Sequence, residues 1–234
     1  MRRPKVSDCG FECYRVLMPG GDVGDLAGLG LRERKKRLTR QTLIETATEM
    51  FAERGFDQVT VAEIADAANV AAKTVFVYFP SKEDLVFHGE AEMQQSLVER
   101  IRHRPAGESP LDAIAGLLTE LMSASPRGSV SELDRLLRTL GDSASLRARM
   151  RLMWERFEEA IADELATETG VPPQSPQPRI AAAQLIVVYR TMSTPEVMAY
   201  LRSQPKNRRR KAFTDWLGTA IEMVGNGIAD YARR

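Results

Sequence analysis

The stretch that most constrains the fold runs from residue 60 to residue 82 and has the pattern of two short helices followed by the start of a third. Thr60 and Glu63 form a capping box, because the hydroxyl can accept from the Glu63 amide while the carboxylate bonds the Thr60 amide. A helix is therefore predicted to begin at Val61. Asn69 tolerates the left-handed conformation that a tight turn requires, so this first helix is predicted to end there.

A second short helix is predicted directly after the turn. Residues 71 to 79 resume the helical pattern, with Val75 and Phe79 four residues apart, and Pro80 followed by Ser81 ends that helix and caps the next. Two short helices joined by a tight turn form the helix-turn-helix unit, whose second helix enters the major groove of DNA. Periodicity alone is equally consistent with an ordinary helical hairpin in a protein core.

The residues of this stretch resemble the signature of the tetracycline-repressor (TetR) family of bacterial transcription regulators. The resemblance rests on T-V-x-x-I-A-x-x-A-x-V from residue 60 and on T-V-F-x-Y-F-x-S-K-E-x-L from residue 74. The preceding A-x-x-x-F-x-x-x-G-F from residue 47 is similar to the family's first helix. The resemblance implies an all-α fold, with an N-terminal three-helix helix-turn-helix DNA-binding domain followed by a helical ligand-binding and dimerisation domain.

Composition agrees with a soluble globular protein of one or two domains. The 234 residues are 43% hydrophobic and 28% charged with a net charge of +1, so a DNA-binding surface must concentrate positive charge locally. Five glycines fall between residues 20 and 30, and we expect residues 1 to 30 to be a disordered extension. We expect the DNA-binding domain over residues 31 to 82 and the effector-binding and dimerisation domain over residues 83 to 234.

The sequence indicates no metal, cofactor or enzyme active site. Cys9 and Cys13 lie in the predicted extension without nearby histidines, and His88 and His103 lack a third ligand at metal-site spacing. We find no Ser/His/Asp, Cys/His or paired-carboxylate arrangement, no H-E-x-x-H and no phosphate-binding glycine loop. No apolar run reaches membrane-spanning length and no signal peptide is recognisable, so we expect a cytoplasmic protein that does not contact membranes.

Basic residues cluster just ahead of the predicted helix-turn-helix. Six of them fall between residues 32 and 40, where Glu33 is the only acid. Basic side chains at this place can neutralise DNA phosphates and release counterions. We therefore expect Arg34, Lys35 and Lys36 to contact DNA.

The recognition helix is expected to begin with two alanines and a lysine. Ala71 and Ala72 can touch thymine methyl groups, whereas Lys73 can donate to guanine, so specificity is expected to depend on Lys73. Thr60 stands at a helix N-terminus, which suits a phosphate contact and a simple cap equally well.

The family resemblance implies four more DNA contacts, at Thr74, Phe76, Tyr78 and Lys82. Thr74 corresponds to a base or phosphate contact, while Tyr78 and Lys82 correspond to phosphate contacts. The family commonly has tyrosine at the position of Phe76. Because Phe76 lacks a hydroxyl group, it can only pack on sugar or on a thymine methyl group.

The remaining chain reads as a series of capped helices. We predict one continuous helix from Ser81 past Ile101, and a loop over the prolines from residue 172 to residue 178. Further helices are predicted from Pro110 to residue 124, from 131 to 140, from 179 to 202 with a kink or break at Pro195, and from 212 to 231. A long helix capped by Asp142 or Ser143 is predicted to reach Thr169. No run alternates with the period of a strand, so no sheet is expected.

The middle helices are expected to enclose a pocket for a small apolar or amphipathic effector. Ligand pockets are mostly apolar, and methionine fills irregular space. The candidates are methionines and aromatic residues of the predicted effector-binding domain, which we call the body, and each of them also suits a core position: Met122, Met150, Met153, Trp154, Phe157, Tyr189 and Met192.

The two apolar helices near the C-terminus are expected to form a four-helix bundle with a second copy of the chain. They are apolar on more than one side and need more covering than one chain supplies. The candidate interface residues, which suit a monomer core as well, are Leu185, Val188, Trp216, Ile221, Val224 and Ile228.

Together these features predict a homodimeric transcription regulator, a repressor that an effector releases from a palindromic double-stranded DNA operator. An alternative is a helical small-molecule-binding protein or enzyme in which the helix-turn-helix is only structural. A third possibility is an architectural DNA binder without an effector, which sequence-independent binding would reveal.

Overall fold

The computed structural model describes residues 30 to 123 and 143 to 228, and its secondary structure is helical throughout these ranges. The helices, in chain order, are α1 (Leu31–Arg54), α2 (Val61–Ala67), α3 (Ala72–Tyr78), α4 (Lys82–Val86), α5 (Glu90–Arg102), α6 (Pro110–Ser123), α7 (Ala144–Thr169), α8 (Pro176–Met192), α9 (Pro195–Ser203) and α10 (Arg209–Ile228), with a 3-10 turn at Lys206–Arg208. The all-helical prediction is confirmed. The predicted extension before Gly30 and the predicted helix over residues 131 to 140 lie outside the described residues.

Helices α1 to α3 form the three-helix head. The Thr60 hydroxyl accepts from the Glu63 amide at 3.2 Å, and Glu63 Oε2 accepts from the Thr60 amide at 2.8 Å, so the predicted capping box starts α2. Asn69 has φ of 54°, the one positive φ at a non-glycine residue in the described ranges, and makes the turn into α3. The head packs around a shared set of buried apolar side chains: Leu43, Ala47, Phe51, Phe56, Val59, Ile64, Val75 and Phe79.

The helix predicted to continue past Ser81 is two helices in the structure, and that prediction was wrong. Helix α4 ends at Val86, and α5 begins only at Glu90. The Arg40 guanidinium donates to the His88 carbonyl oxygen at 2.8 Å. In a continuous helix this carbonyl would instead accept from the amide four residues later. The turn between the two helices is buried, because Phe87 and His88 are only 3% and 7% exposed.

The proline-rich stretch is also partly helical, which corrects the prediction of a loop. Pro176 is the first residue of α8, and Pro178 lies in its first turn. The first amides of a helix have no intrahelical partner, so proline is tolerated at these positions. Pro195 starts α9 and separates it from α8, as the sequence predicted.

The body is built around the pairing of α7 with α8, the most extensive contact between helices. The predicted start of α7 is confirmed, since Ser143 caps it, and Gly170 ends it with φ of 69°. Arg104 on the loop after α5 forms an ion pair with Glu168 at 2.7 Å, and its side chain is fully buried. None of the described helices is long and apolar enough to cross a membrane.

Candidate DNA-binding and effector sites

Helix α3 presents a continuous outward face. Val75 is 1% exposed and anchors the helix on the head, whereas Phe76 and Val77 are 51% and 74% exposed. Ala71, Ala72 and Lys73 are exposed at the start of the helix. A short helix with one anchored face and one open face can enter a DNA groove without disturbing its own packing.

Val77 belongs to this outward face, although it was not among the residues predicted to contact DNA. It lies four residues after Lys73, so both side chains lie on the same side of α3. Its four-residue spacing from Lys73 was the sequence feature from which this position could have been predicted. An exposed valine beside a lysine offers an apolar contact for a thymine methyl group.

Three residues that the sequence analysis placed at DNA are partly or fully used within the head. Thr74 and Tyr78 are half-buried, and Tyr78 packs against the head core. Thr60 is exposed, but its hydroxyl donates to Glu63 Oε2 at 2.7 Å and accepts from the Glu63 amide. Hydrogen bonds from the amide and hydroxyl of Thr60, followed by one from Arg54, lower the pKa of Glu63 to about 2. The local geometry thus supports the capping role of Thr60.

Lys82 is held by the head itself. Its ammonium group donates to the carbonyl oxygens of Phe56 at 2.9 Å and of Val59 at 3.0 Å, and it lies 4.0 Å from the centre of the Phe56 ring. These contacts join the start of α4 to the loop between α1 and α2. The phosphate contact that the resemblance implies for Lys82 would have to form beside these internal bonds.

The basic residues of α1 fall into two groups. Arg34, Lys35 and Lys36 are exposed along the first turns of the helix. Arg40 instead points inward, where it bonds the His88 carbonyl oxygen and lies 5.3 Å from the centre of the Phe79 ring. The first group can reach phosphates, while Arg40 holds the turn at His88 against α1.

A junction cluster of Asp57, Asp84, Glu90, Ser143 and Arg149 connects the head to the start of α7. Ser143 Oγ donates to Asp57 Oδ1 at 2.8 Å. The Arg149 guanidinium bonds Glu90 and lies 3.3 Å from Asp84 Oδ1. Burial opposes the charged form of Arg149, but the carboxylates of Glu90 and Asp84 outweigh it and raise the pKa of the guanidinium.

The structure buries five of the seven predicted effector-site residues in its core: Met153, Trp154, Phe157, Tyr189 and Met192. Three of them, Trp154, Phe157 and Tyr189, form a buried aromatic cluster. The Trp154 ring centre lies 5.5 Å from that of Phe157 and 5.9 Å from that of Tyr189. Burial raises the pKa of the Tyr189 phenol. Met150 is half-buried, and the side chain of Met122 lies outside the described residues.

An apolar groove of about 530 Å³ runs along α8, α9 and α10. Val188, Trp216 and Val224, three of the predicted interface residues, line it together with the exposed Tyr200 and Met223. Ile221 is half-buried beside them, and the side chain of Ile228 lies outside the described residues.

Leu185 does not belong to this groove. Its side chain is fully buried within the subunit, because α8 turns it toward the core. The prediction of Leu185 as a dimer-interface residue is therefore corrected to a core residue of the single chain.

Comparison with known proteins places the chain in a family. Residues 43–88 match the family model of bacterial regulatory proteins of the tetR family. The HTH-type transcriptional regulator TcmR of Streptomyces glaucescens is 31% identical over 172 residues, which cover 71% of this chain and 76% of TcmR. The chain belongs to the TetR family. This membership confirms the predicted family and the predicted function of a DNA-binding transcription regulator.

Other members of the TetR family are similar over most of their length. The HTH-type transcriptional repressor KstR of Rhodococcus jostii is 27% identical, with 62% of this chain and 67% of KstR covered. NalD of Pseudomonas aeruginosa shares the fold with a TM-score of 0.54 at 21% identity, covering 82% of this chain and 98% of the NalD chain. FadR of Thermus thermophilus, solved with lauroyl-CoA, has a TM-score of 0.50 at 24% identity, covering 81% and 94% of the two chains.

Proposed function

We propose that this TetR-family regulator is a homodimeric repressor without enzyme activity. Its two α3 helices bind a palindromic operator, and a small apolar or amphipathic effector bound in the body releases it. The outward face of α3 carries the proposal, because Lys73, Phe76 and Val77 are presented to solvent on a helix that the head holds from behind. Residues 31 to 82 form the DNA-binding domain in this proposal, and residues 83 to 234 form the effector-binding and dimerisation domain of a cytoplasmic protein.

Each part of the head has a separate task in DNA recognition. Lys73 donates to a guanine edge, while Ala71, Ala72, Phe76 and Val77 make apolar contacts with thymine methyl groups or sugar. Phosphates are bound by residues around this helix, which set the position of the head without reading sequence: Arg34, Lys35, Lys36, Thr60, Tyr78 and Lys82. Thr74 contacts a base or a phosphate.

Dimerisation uses the groove along α8, α9 and α10. Met223 is 74% exposed and Tyr200 is 49% exposed beside the half-buried Trp216 and Val224, so an apolar surface is open along these helices. Val188 forms the floor of this groove and, at 2% exposed, is mainly a core residue of the single chain. Packing the same surface of a second copy into it gives a two-fold interface and a four-helix bundle. A two-fold dimer in turn places two α3 helices to read the two halves of a palindrome.

Helix α7 connects the effector site to the head. Trp154 of the aromatic cluster lies five residues after Arg149 of the junction cluster, on the same rigid helix. An effector that displaces the aromatic cluster shifts α7. The bond of Ser143 then carries the shift to Asp57 of the head, and the bonds of Arg149 carry it to Asp84 of α4, whose Lys82 is bonded to the head. The extent of release depends on how much more tightly the effector binds the released state than the DNA-bound state. KstR is named a repressor and FadR was solved with an acyl-CoA, which supports a ligand-responsive repressor.

The proposal is tested by fluorescence anisotropy with a labelled duplex from the gene's own upstream region and a scrambled duplex. Loss of one base contact costs about 1–3 kcal/mol and the dimer loses one in each half-site, so Lys73→Ala should weaken specific binding by about 30-fold or more. Lys206→Ala removes an exposed lysine of the body and should leave binding unchanged. Specific binding that ignores Lys73→Ala would refute the proposed readout by α3.

A further inference from the structure

One basic side chain of α1 bonds the protein interior instead of facing the solvent. Arg40 is half-buried, and its guanidinium donates to the carbonyl oxygen of His88 at 2.8 Å and lies 5.3 Å from the centre of the Phe79 ring. Arg34 and Lys36 are exposed nearer the start of the same helix. A cation that neutralises a DNA phosphate must face the solvent, whereas these contacts direct the charge of Arg40 into the protein.

The carbonyl that Arg40 bonds belongs to the turn between α4 and α5. Phe87 has φ of −97° and ψ of 26°, and Gly89 has φ of −102° and ψ of 11°, so both lie close to the helical region. The Glu90 amide donates to the Phe87 carbonyl oxygen at 3.0 Å, three residues back. The sequence from residue 81 to residue 101 contains no proline and is compatible with one continuous helix. Contacts from other parts of the chain are therefore needed to hold the turn.

This turn is the boundary between the part of the chain that is bonded to the head and the part that is bonded to the body. On the α4 side, the Lys82 ammonium group donates to the carbonyl oxygens of Phe56 and Val59 in the head. On the α5 side, Arg102 pairs with Glu164 of α7 at 2.6 Å. A bend at the turn can therefore change the angle between head and body without breaking either set of bonds.

The junction cluster and Arg40 hold this boundary from different sides. Arg149 of the junction cluster contacts both Asp84 and Glu90, so it joins α4 and α5 to α7. Arg40 joins the turn to α1, the first helix of the head. In a two-fold dimer, the angle between each head and its body sets the separation of the two α3 helices, which must match the distance between the operator half-sites.

We propose that Arg40 is a positioning residue for operator recognition and does not contact a phosphate. By bonding the His88 carbonyl oxygen, it fixes the angle between the head and α5, and with it the half-site spacing that the dimer accepts. This inference rests on the proposed dimeric function and adds a residue that acts on spacing, whereas Lys73 acts on base sequence.

The experiment compares Arg40→Met with the wild type on DNA. A selection from random-sequence duplexes with the wild type supplies an inverted repeat. Fluorescence anisotropy then measures binding to this repeat and to versions whose half-sites are one base pair closer or farther apart. The preference of Arg40→Met for the original spacing should be weaker by about 10-fold or more, because each subunit has lost a hydrogen bond from a charged donor that resists the bend. The preferred half-site sequence should stay the same.

A salt series separates positioning from phosphate binding. Each phosphate contact contributes about one unit to the slope of log K against log salt concentration. Lys36→Met removes a proposed phosphate contact from the same helix, so it should reduce the slope by about two in a dimer and leave the spacing preference unchanged. Arg40→Met should leave the slope unchanged. Arg40→Gln is a second neutral replacement and should behave like Arg40→Met, and thermal melts check that every variant remains folded.

Two results would overturn the inference: a spacing preference of Arg40→Met equal to that of the wild type, or a salt slope that falls by about two, as loss of a phosphate contact in each subunit would cause. Failure of this inference and failure of the proposed function are distinguishable. A wild type that selects no inverted repeat would refute the dimeric repressor and this inference with it. One preferred spacing that Arg40→Met and Arg40→Gln both retain would refute this inference alone.

Discussion

Replacing Arg149 by methionine tests whether the junction cluster holds the head to the body. Methionine keeps most of the length and apolar surface of the side chain but removes the guanidinium. In the native protein that guanidinium bonds Glu90, lies 3.3 Å from Asp84 Oδ1 and lies 5.2 Å from the centre of the Phe87 ring. Arg149→Met therefore removes two ion pairs and a cation–π contact at once.

The size of the effect follows from burial. The side chains of Arg149, Asp84 and Glu90 are 17%, 27% and 12% exposed. These ion pairs are therefore less exposed than surface pairs but not fully buried. Glu90 keeps Arg156 at 3.2 Å and Asp84 keeps the amide of Ser81 at 3.0 Å, so neither carboxylate is left unpaired. We expect a loss of about 2 kcal/mol in the free energy of unfolding, between the values for exposed and buried pairs.

The assay is thermal unfolding followed by circular dichroism. For a chain of this size a loss of that magnitude lowers Tm by about 4–8 °C. Arg151→Met, which removes an exposed arginine from the same helix, should change Tm by less than about 1 °C. A double-mutant cycle with Glu90→Gln should give a coupling of about 1 kcal/mol. Equal melting of the Arg149 and Arg151 variants would refute the structural role of the junction cluster.

Three further predictions concern single side chains. Burial lowers the pKa of His88 to about 4 from an ordinary value of 6.5, so folding favours the neutral ring. The contribution of this neutral ring to stability is fully present above pH 6.5 and is lost as the pH falls toward 4. The loss between pH 8 and pH 5 should be about 2 kcal/mol by urea unfolding, and His88→Asn should abolish this slope whereas His103→Asn should keep it. Tyr189→Phe should leave Tm unchanged or raise it slightly, because the hydroxyl has no partner in the described structure. A clear fall in Tm would show that the hydroxyl makes a stabilising hydrogen bond in the folded protein. Lys82→Met should lower the free energy of unfolding by about 2 kcal/mol, since two hydrogen bonds and a cation–π contact are lost; unchanged stability with weaker DNA binding would contradict the internal role of Lys82.

Local signals predicted the helix starts well. The caps predicted at Thr60 and Ser81 each depend on residues within one turn, so the sequence contains the whole interaction. The turn after Val86 was missed because the bond that stabilises it comes from Arg40, 48 residues from His88 in the sequence. A contact of that range leaves no local pattern.

The burial of the candidate effector-site residues could be predicted where helical spacing was sufficient. Met153, Trp154 and Phe157 lie at three- and four-residue spacing on α7, and the structure buries them against Tyr189. Spacing could not show that the polar atoms of Trp154 and Tyr189 lack partners in the described structure, because hydrogen bonding depends on the neighbours from other helices. It also could not assign the sides of α8, which is apolar on more than one side, so Leu185 was placed at the wrong surface.

The most direct test of the central claim is a selection from random-sequence DNA duplexes with the wild-type protein and Lys73→Ala in parallel. If two α3 helices read a palindrome, the wild type should enrich an inverted repeat whose half-sites are centred about 10 base pairs, or a multiple of that, apart. Lys73→Ala should relax the preference for guanine at one symmetric position in each half-site. Enrichment of no sequence, or of the same sequence by both proteins, would contradict the account.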